Sequence, residues 1–242
     1  MSKEKKEKKG GKKKPLIISA VILAAGAGLF FGFGLPYIQR HFSKVEVNRA
    51  EITAMTPVAL DGKILTVYFT RVGNTDFEEN IDAVSSASLM AENGTLIGNA
   101  ELLAEMIHNA VGGDIAAIHT EKKYPSGYGD TIDVAKKELD GKETAAILDD
   151  LPDPAEYDRI FLVYPLWWGT LPMAVETYLQ ADLSGKVIYP VVTHGGSREG
   201  SSLKDLEQLT EANVWKDALV VYDKDVIKAA GQVQNYLQSL TS

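Results

Sequence analysis

Apolar residues are distributed along this chain in two regimes. From Pro15 to Ile38 they are nearly continuous, and no charged residue occurs between Lys14 and Arg40. From Lys63 onward they come in short bursts separated by amphipathic stretches. An uninterrupted run of about 20 or more apolar residues matches the length of a helix that crosses roughly 30 Å of hydrocarbon. Because every face of that run is apolar, it does not read as one side of a globular core.

The later bursts predict alternating strands and helices. Residues 64–70 are β-branched and aromatic and end in a Gly/Asn cluster, the pattern of a buried strand. Residues 99–111 place Leu102, Leu103, Met106 and Ile107 at helical spacing and stop at Gly112-Gly113. Further strands are expected at 115–118, 159–164, 187–192 and 218–221, and further helices at 173–179, 202–209 and 225–240. Strands that are apolar on both faces and alternate with helices predict an α/β domain, with a doubly wound, five-stranded parallel sheet. Residues 39–62 are weakly patterned, with turn signals at Pro57, Asp61 and Gly62, and read as a linker. The expected organisation is therefore a tail at 1–14, a transmembrane helix at 15–38, a linker at 39–62 and a folded domain at 63–242.

Charge sharpens the first part of this picture. The tail carries eight Lys against Glu4 and Glu7, so it holds +6 of a total −8 and leaves −14 on the remainder. A Lys-rich block directly before an apolar span keeps the N-terminus in the cytoplasm. The span is thus expected to be a single-pass signal anchor in the cytoplasmic membrane, with the domain on the extracytoplasmic face. A cleaved signal peptide competes, since Ala25-Gly26-Ala27 offers small residues, but the apolar run continues well past that point. An acidic body repels phosphate backbones, so no nucleic-acid partner is expected, while basic redox proteins would be steered toward it.

The chain has no cysteine, which excludes disulfides, iron–sulfur clusters, thiolate metal sites, thiol nucleophiles and lipidation. Its four His show no metal-ligand spacing, no metal is expected, and no G-x-S-x-G elbow occurs.

In a doubly wound sheet, ligands bind beyond the carboxyl ends of the strands, where the winding reverses. Three such loops carry candidate chemistry. After strand one, Thr70, Arg71, Val72, Gly73, Asn74 and Thr75 combine small hydroxyl and amide groups with a Gly, a composition that lets backbone N–H groups converge on a phosphate. The helix does not follow at once: residues 76–97 intervene before a second small cluster, Gly98-Asn99-Ala100, opens it. Ser86 and Ser88, within that insertion, either reach the same phosphate or belong to an ordinary surface excursion.

After strand three comes Pro165-Leu166-Trp167-Trp168-Gly169. Successive side chains in extended backbone diverge, so two adjacent Trp cannot share one core; at least one is expected to be exposed or to stack on a planar ligand. After strand four comes Thr193-His194-Gly195-Gly196-Ser197, whose glycines allow backbone to approach a ring edge. His194 is either a proton donor or a space-filling hydrogen-bonding group.

Together the three loops resemble those of the flavodoxin superfamily, in particular a bacterial subfamily with YPxWWGT and THGGS loops, over residues 63–222. The resemblance extends to Tyr124-Pro125 and to Asp158 through Leu162. It implies strand order 2-1-3-4-5 with FMN at the switch point. It assigns the phosphate to the Thr70 loop and Asn99, one flavin face to the loop from Pro165 to Gly169, and the other edge to Thr193 through Ser197. The insertion departs from the common pattern and leaves open which half of the split loop holds phosphate. The function expected is that of a membrane-tethered FMN electron carrier whose partners are redox proteins or a quinone. Two rivals stand beside it. An FMN-dependent NAD(P)H:quinone oxidoreductase would need a second nucleotide site, for which no G-x-G-x-x-G follows a strand. A non-redox surface module would keep the fold without the cofactor.

Overall fold

A computed structural model describes residues 46–79 and 88–241. The Lys-rich tail, the span expected at 15–38 and Ser86 lie outside those residues. Among the described residues no helix is long and apolar enough to cross a membrane.

The sheet is built from β1 (Ile64–Tyr68), β4 (Asp114–Ala117), β5 (Arg159–Pro165), β6 (Val187–His194), β7 (Asn213–Val214) and β8 (Leu219–Tyr222), and every pairing in it is parallel. Its order is β4-β1-β5-β6, with β7 and β8 both on the outer edge of β6. The expected order 2-1-3-4-5 is therefore observed, with the fifth position shared by two short strands. β7 pairs with Val187 and Ile188, and β8 pairs with residues from Val191 to His194. Pro190, which has no N–H to give a ladder, lies in the gap between them.

Alternation along each central strand generates two cores, one on each face. Phe161 and Val163 of β5 and Tyr189 and Val191 of β6 pack with α2 (Asn99–Val111) and α6 (Ala230–Ser239). Ile160, Leu162 and Tyr164 of β5 and Ile188 and Val192 of β6 face the side that carries α3 (Tyr128–Gly141), α4 (Met173–Tyr178) and α5 (Ser202–Leu209).

Four features depart from the sequence expectation. Within the insertion, β2 (Leu89–Glu92) and β3 (Thr95–Gly98) form an antiparallel hairpin. A helix, α3, lies between β4 and β5, where none was expected; its apolar face is thin, and only Thr131 and Ala135 are fully buried. From residue 46 onward the stretch read as a linker belongs to the fold. Its short helix α1 (Arg49–Thr53) and the turn after it bury Val47, Ile52, Met55 and Val58 against the α2 face. Hydrogen bonds hold it along its length: Val47 N–H donates to Glu92, Asn109 Nδ2 to the Ile52 carbonyl and Val58 N–H to the Ala110 carbonyl. The helix expected at 225–240 is divided into a 3₁₀ segment, Asp223–Lys228, and α6.

Candidate functional site

The carboxyl ends of β1, β5 and β6 open onto one cleft of about 510 Å³, lined by Arg71, Ser88, Tyr128, Thr131, Ile132, Ala135, Leu166, Trp167, Trp168, Gly169, Gly195 and Ser197. Eight of these, Arg71, Ser88, Leu166, Trp167, Trp168, Gly169, Gly195 and Ser197, are among the residues expected from sequence. One wall was missed. The first two turns of α3 supply Tyr128, Thr131, Ile132 and Ala135, and the only trace of them in the sequence is a Thr131–Ala135–Leu139 repeat at helical spacing.

The first loop is rigid because its polar groups are used internally. Asn74 is buried, and its Nδ2 donates to the carbonyls of Thr70 and Ile118 while its Oδ1 accepts from Thr120 N–H and Oγ1. Four bonds saturate a carboxamide, so Asn74 ties the loops after β1 and β4 together rather than presenting its side chain to a ligand. Arg71 is only 1% exposed, yet it reaches the cleft wall. Its guanidinium donates to the carbonyls of Pro125 and Ser126, 2.9 Å each, and so joins this loop to the entrance of α3.

The hairpin rejoins what the insertion separates. Because Leu89 pairs with Gly98, the chain returns to the end of β1, where Asn99 N–H donates to the Ser88 carbonyl at 2.9 Å. Gly98 is packed onto Thr70, so the two halves of the split loop are one structure at the N-terminus of α2. Thr70, Asn99 and Ala100 are buried behind the wall, and Val72 is half-buried in the loop. Ser88 forms the wall itself and accepts a hydrogen bond from Trp167 Nε1 at 2.8 Å.

Trp167 and Trp168 take different roles. Trp167 meets Phe69 and Tyr124 edge-on, with centroids 5.3 and 5.1 Å away. Trp168 is 51% exposed on the rim, where its Nε1 donates to the Ile132 carbonyl and Lys136 lies over its ring. Mutual backbone hydrogen bonds between Trp167 and Thr170 close a two-residue turn, with Trp168 at φ +49° and Gly169 at φ +81°. Positive φ at both central positions is the requirement of a type I′ turn. For a bulky side chain it is a strained conformation that the surroundings must impose. Those surroundings are α5 and the turn before it. Ser201 N–H donates to the Gly169 carbonyl, and Asp205 accepts from Thr170 Oγ1 at 2.6 Å.

The third loop contributes Gly195 and Ser197 to the cleft, but not the ring of His194. That imidazole is nearly buried against Tyr222, and its Nδ1 accepts from Gly196 N–H at 3.0 Å. Burial and the Arg198 charge push its pKa down, against the pull of Asp223 and Glu199. Thr193 and Pro165 lie beneath the floor, buried in the ends of β6 and β5.

The cleft thus has apolar walls of Leu166, Trp167, Trp168, Ile132 and Ala135 and a polar end at Arg71 and Ser88, with the N-terminus of α2 buried behind Ser88. A flat aromatic body with an anionic tail suits that division, because indole faces cover rings while a cation and a helix N-terminus favour negative charge. Among the described residues no group of acids and histidines is arranged to hold a metal ion.

Comparisons with known proteins agree with the topology. A putative flavoprotein from Bacteroides eggerthii is 24% identical, with 72% of this chain and 98% of that chain covered and a TM-score of 0.51. A putative flavoprotein from Bacteroides uniformis is 21% identical, over 74% of this chain and 99% of that one, with a TM-score of 0.51. A flavoprotein from Lactobacillus acidophilus, solved in complex with FMN, is 18% identical over 69% and 98% of the two chains, with a TM-score of 0.48. No curated protein matches. A family model described as flavodoxin matches residues 88–238, well over half of the chain. The match begins at Ser88 on the cleft wall and runs through β5, β6 and α6, so the chain belongs to the flavodoxin family.

Proposed function

We propose that this chain is an electron-transfer flavoprotein that holds FMN in the strand-end cleft and is fastened to the cytoplasmic membrane by residues 15–38, with the domain on the extracytoplasmic side. The observation that carries the cofactor reading is the convergence of the three loops of a flavodoxin-family chain on one cleft with aromatic walls and a cationic end. FMN, when bound, supplies one- or two-electron transfer. The chain supplies position and surroundings. Leu166, Trp167 and Trp168 would cover the ring system and keep water from it. Gly195 and Ser197 would bring backbone to the ring edge, and Arg71, Ser88 and the N-terminus of α2 would hold the phosphate. The anchor rests on the charge and hydropathy of the N-terminal sequence, and it directs the search for partners to redox proteins or quinones at the membrane face.

The test is direct. The full chain, purified in detergent, is examined for flavin absorbance and titrated with FMN. A bound, yellow cofactor in equimolar amount is the expected result. A colourless protein that takes up no FMN when supplemented overturns the assignment.

A further inference from the structure

The cleft takes Gly195 and Ser197 from the loop after β6, and the residue between them is held from behind. Gly196 stands at φ +136°, a conformation that a side chain rarely tolerates, and its N–H is bound by His194 Nδ1. An imidazole accepts at Nδ1 only when its proton is on Nε2, so this bond requires the neutral ring. We propose that His194 is a positioning residue for the cofactor loop: as a neutral imidazole it fixes Gly196 and thereby the two residues that line the cleft, and its protonation releases the loop and weakens cofactor binding.

Charged groups around the ring act on it in opposite directions. Arg198 and Glu199 act on it from its own loop, and Asp223 acts from the turn after β8, beside Tyr222 and Lys224. Asp223 Oδ1 is buried and accepts no hydrogen bond among the described residues. An imidazolium is therefore drawn toward Asp223, whereas the neutral ring keeps Gly196. Burial and Arg198 favour the neutral form, so the loop is held at neutral pH and let go on acidification.

The inference rests on the FMN reading for its affinity arm and on the apoprotein for its structural arm. In the first, FMN dissociation constants of the full chain are measured from roughly pH 8 to roughly pH 5, the interval over which histidine changes charge. His194→Asn places a non-titrating carbonyl oxygen where Nδ1 sits, and His194→Leu removes the acceptor. The second ionisation of the phosphate, near about pH 6, is common to all three proteins and cancels in their ratios. The loss of one such hydrogen bond predicts that the wild type weakens about three- to tenfold relative to His194→Asn as pH falls, and that His194→Leu is weaker by a similar factor even at the alkaline end. In the second arm, the apoprotein is labelled with ¹⁵N-glycine, and the Gly196 amide shift is expected to follow the imidazole titration. Superimposable pH curves for wild type and His194→Asn, or a Gly196 amide that stays fixed while the ring titrates, overturn the proposal. Failure of FMN to bind at all pH values overturns the cofactor assignment, and the amide titration then decides the inference by itself.

Discussion

Gly98 lies so close to Thr70 that a Cβ added to it would stand 2.2 Å from Thr70 Oγ1. Twenty-eight positions separate Thr70 from Gly98, yet they form one surface, because the β2–β3 hairpin brings the chain back to the end of β1. The φ of Gly98 is ordinary at −76°, so space and not backbone conformation demands the glycine.

Gly98→Ala is therefore expected to push Thr70 away from the start of α2. Forcing a methyl into such a contact costs about 1–3 kcal/mol. Urea unfolding measures that loss, and FMN titration of the same variant should show weaker binding, because the displaced loop adjoins the phosphate end.

Gly200 makes the equivalent contact on the other side of the cleft. At φ +55° its added Cβ would lie 2.2 Å from the Gly169 carbonyl oxygen. Gly200→Ala combines a left-handed alanine with that collision and is expected to cost about 2 kcal/mol or more. The Trp168-Gly169 turn must shift to accommodate it, so tryptophan fluorescence should change along with the unfolding midpoint.

Ser88→Ala removes the acceptor of Trp167 Nε1. A single hydrogen bond of this kind contributes about 0.5–1.5 kcal/mol, and Trp167→Phe should lose no more than its own packing once Ser88 is gone. A double-mutant cycle read by thermal unfolding checks the coupling; additive losses would show that the bond contributes nothing.

Glu138 is half-buried, and Tyr124 donates to it at 3.1 Å. Burial pushes its pKa up, more than the Tyr124 hydrogen bond and Lys122 pull it down, and Glu143 adds to the rise. The folded chain thus keeps this proton to higher pH than the unfolded chain. Stability from it is complete below the ordinary value of 4.5 and is lost as pH rises through the folded value. Glu138→Gln is expected to raise the melting temperature at neutral pH, and the gain should vanish in acid, where the carboxyl is already neutral.

The segment before β1 should behave as part of the domain. Ile52 is buried in the α2-side core, so Ile52→Ala is expected to cost about 2–5 kcal/mol, the range for an aliphatic side chain removed from a packed core. Chemical denaturation decides this, since a passive spacer would give no change.

Much of the scaffold was legible in sequence. The apolar runs at 64–70, 159–164 and 187–192 are buried on both faces, and only a strand covered by helices on both sides has that composition, so strand identity and sheet class followed from the residues. The Trp167-Trp168 and Gly195-Gly196 clusters could be placed at strand ends for the same reason. Helix α3 could not be seen, because a helix that walls an open cleft buries too few apolar residues to show a strong period. The segment from residue 46 was unreadable for a related reason: its four buried residues are few, only Ile52 of them lies in the five-residue helix α1, and they are buried in a core shared with α2.

What the sequence determined by itself is the kind of object: an acidic, cysteine-free α/β domain with its chemistry at the carboxyl edge of a parallel sheet, behind an apolar, Lys-flanked N-terminal run. What the tertiary structure decided is which of the candidate residues meet. Asn74 is withdrawn from the cleft by four internal hydrogen bonds, His194 is turned toward Gly196, and Ser88 is brought to Trp167 across 79 positions. The reason is physical. Periodicity and composition report how much of a residue is buried, whereas the direction of a hydrogen bond depends on partners that only the folded chain brings within reach.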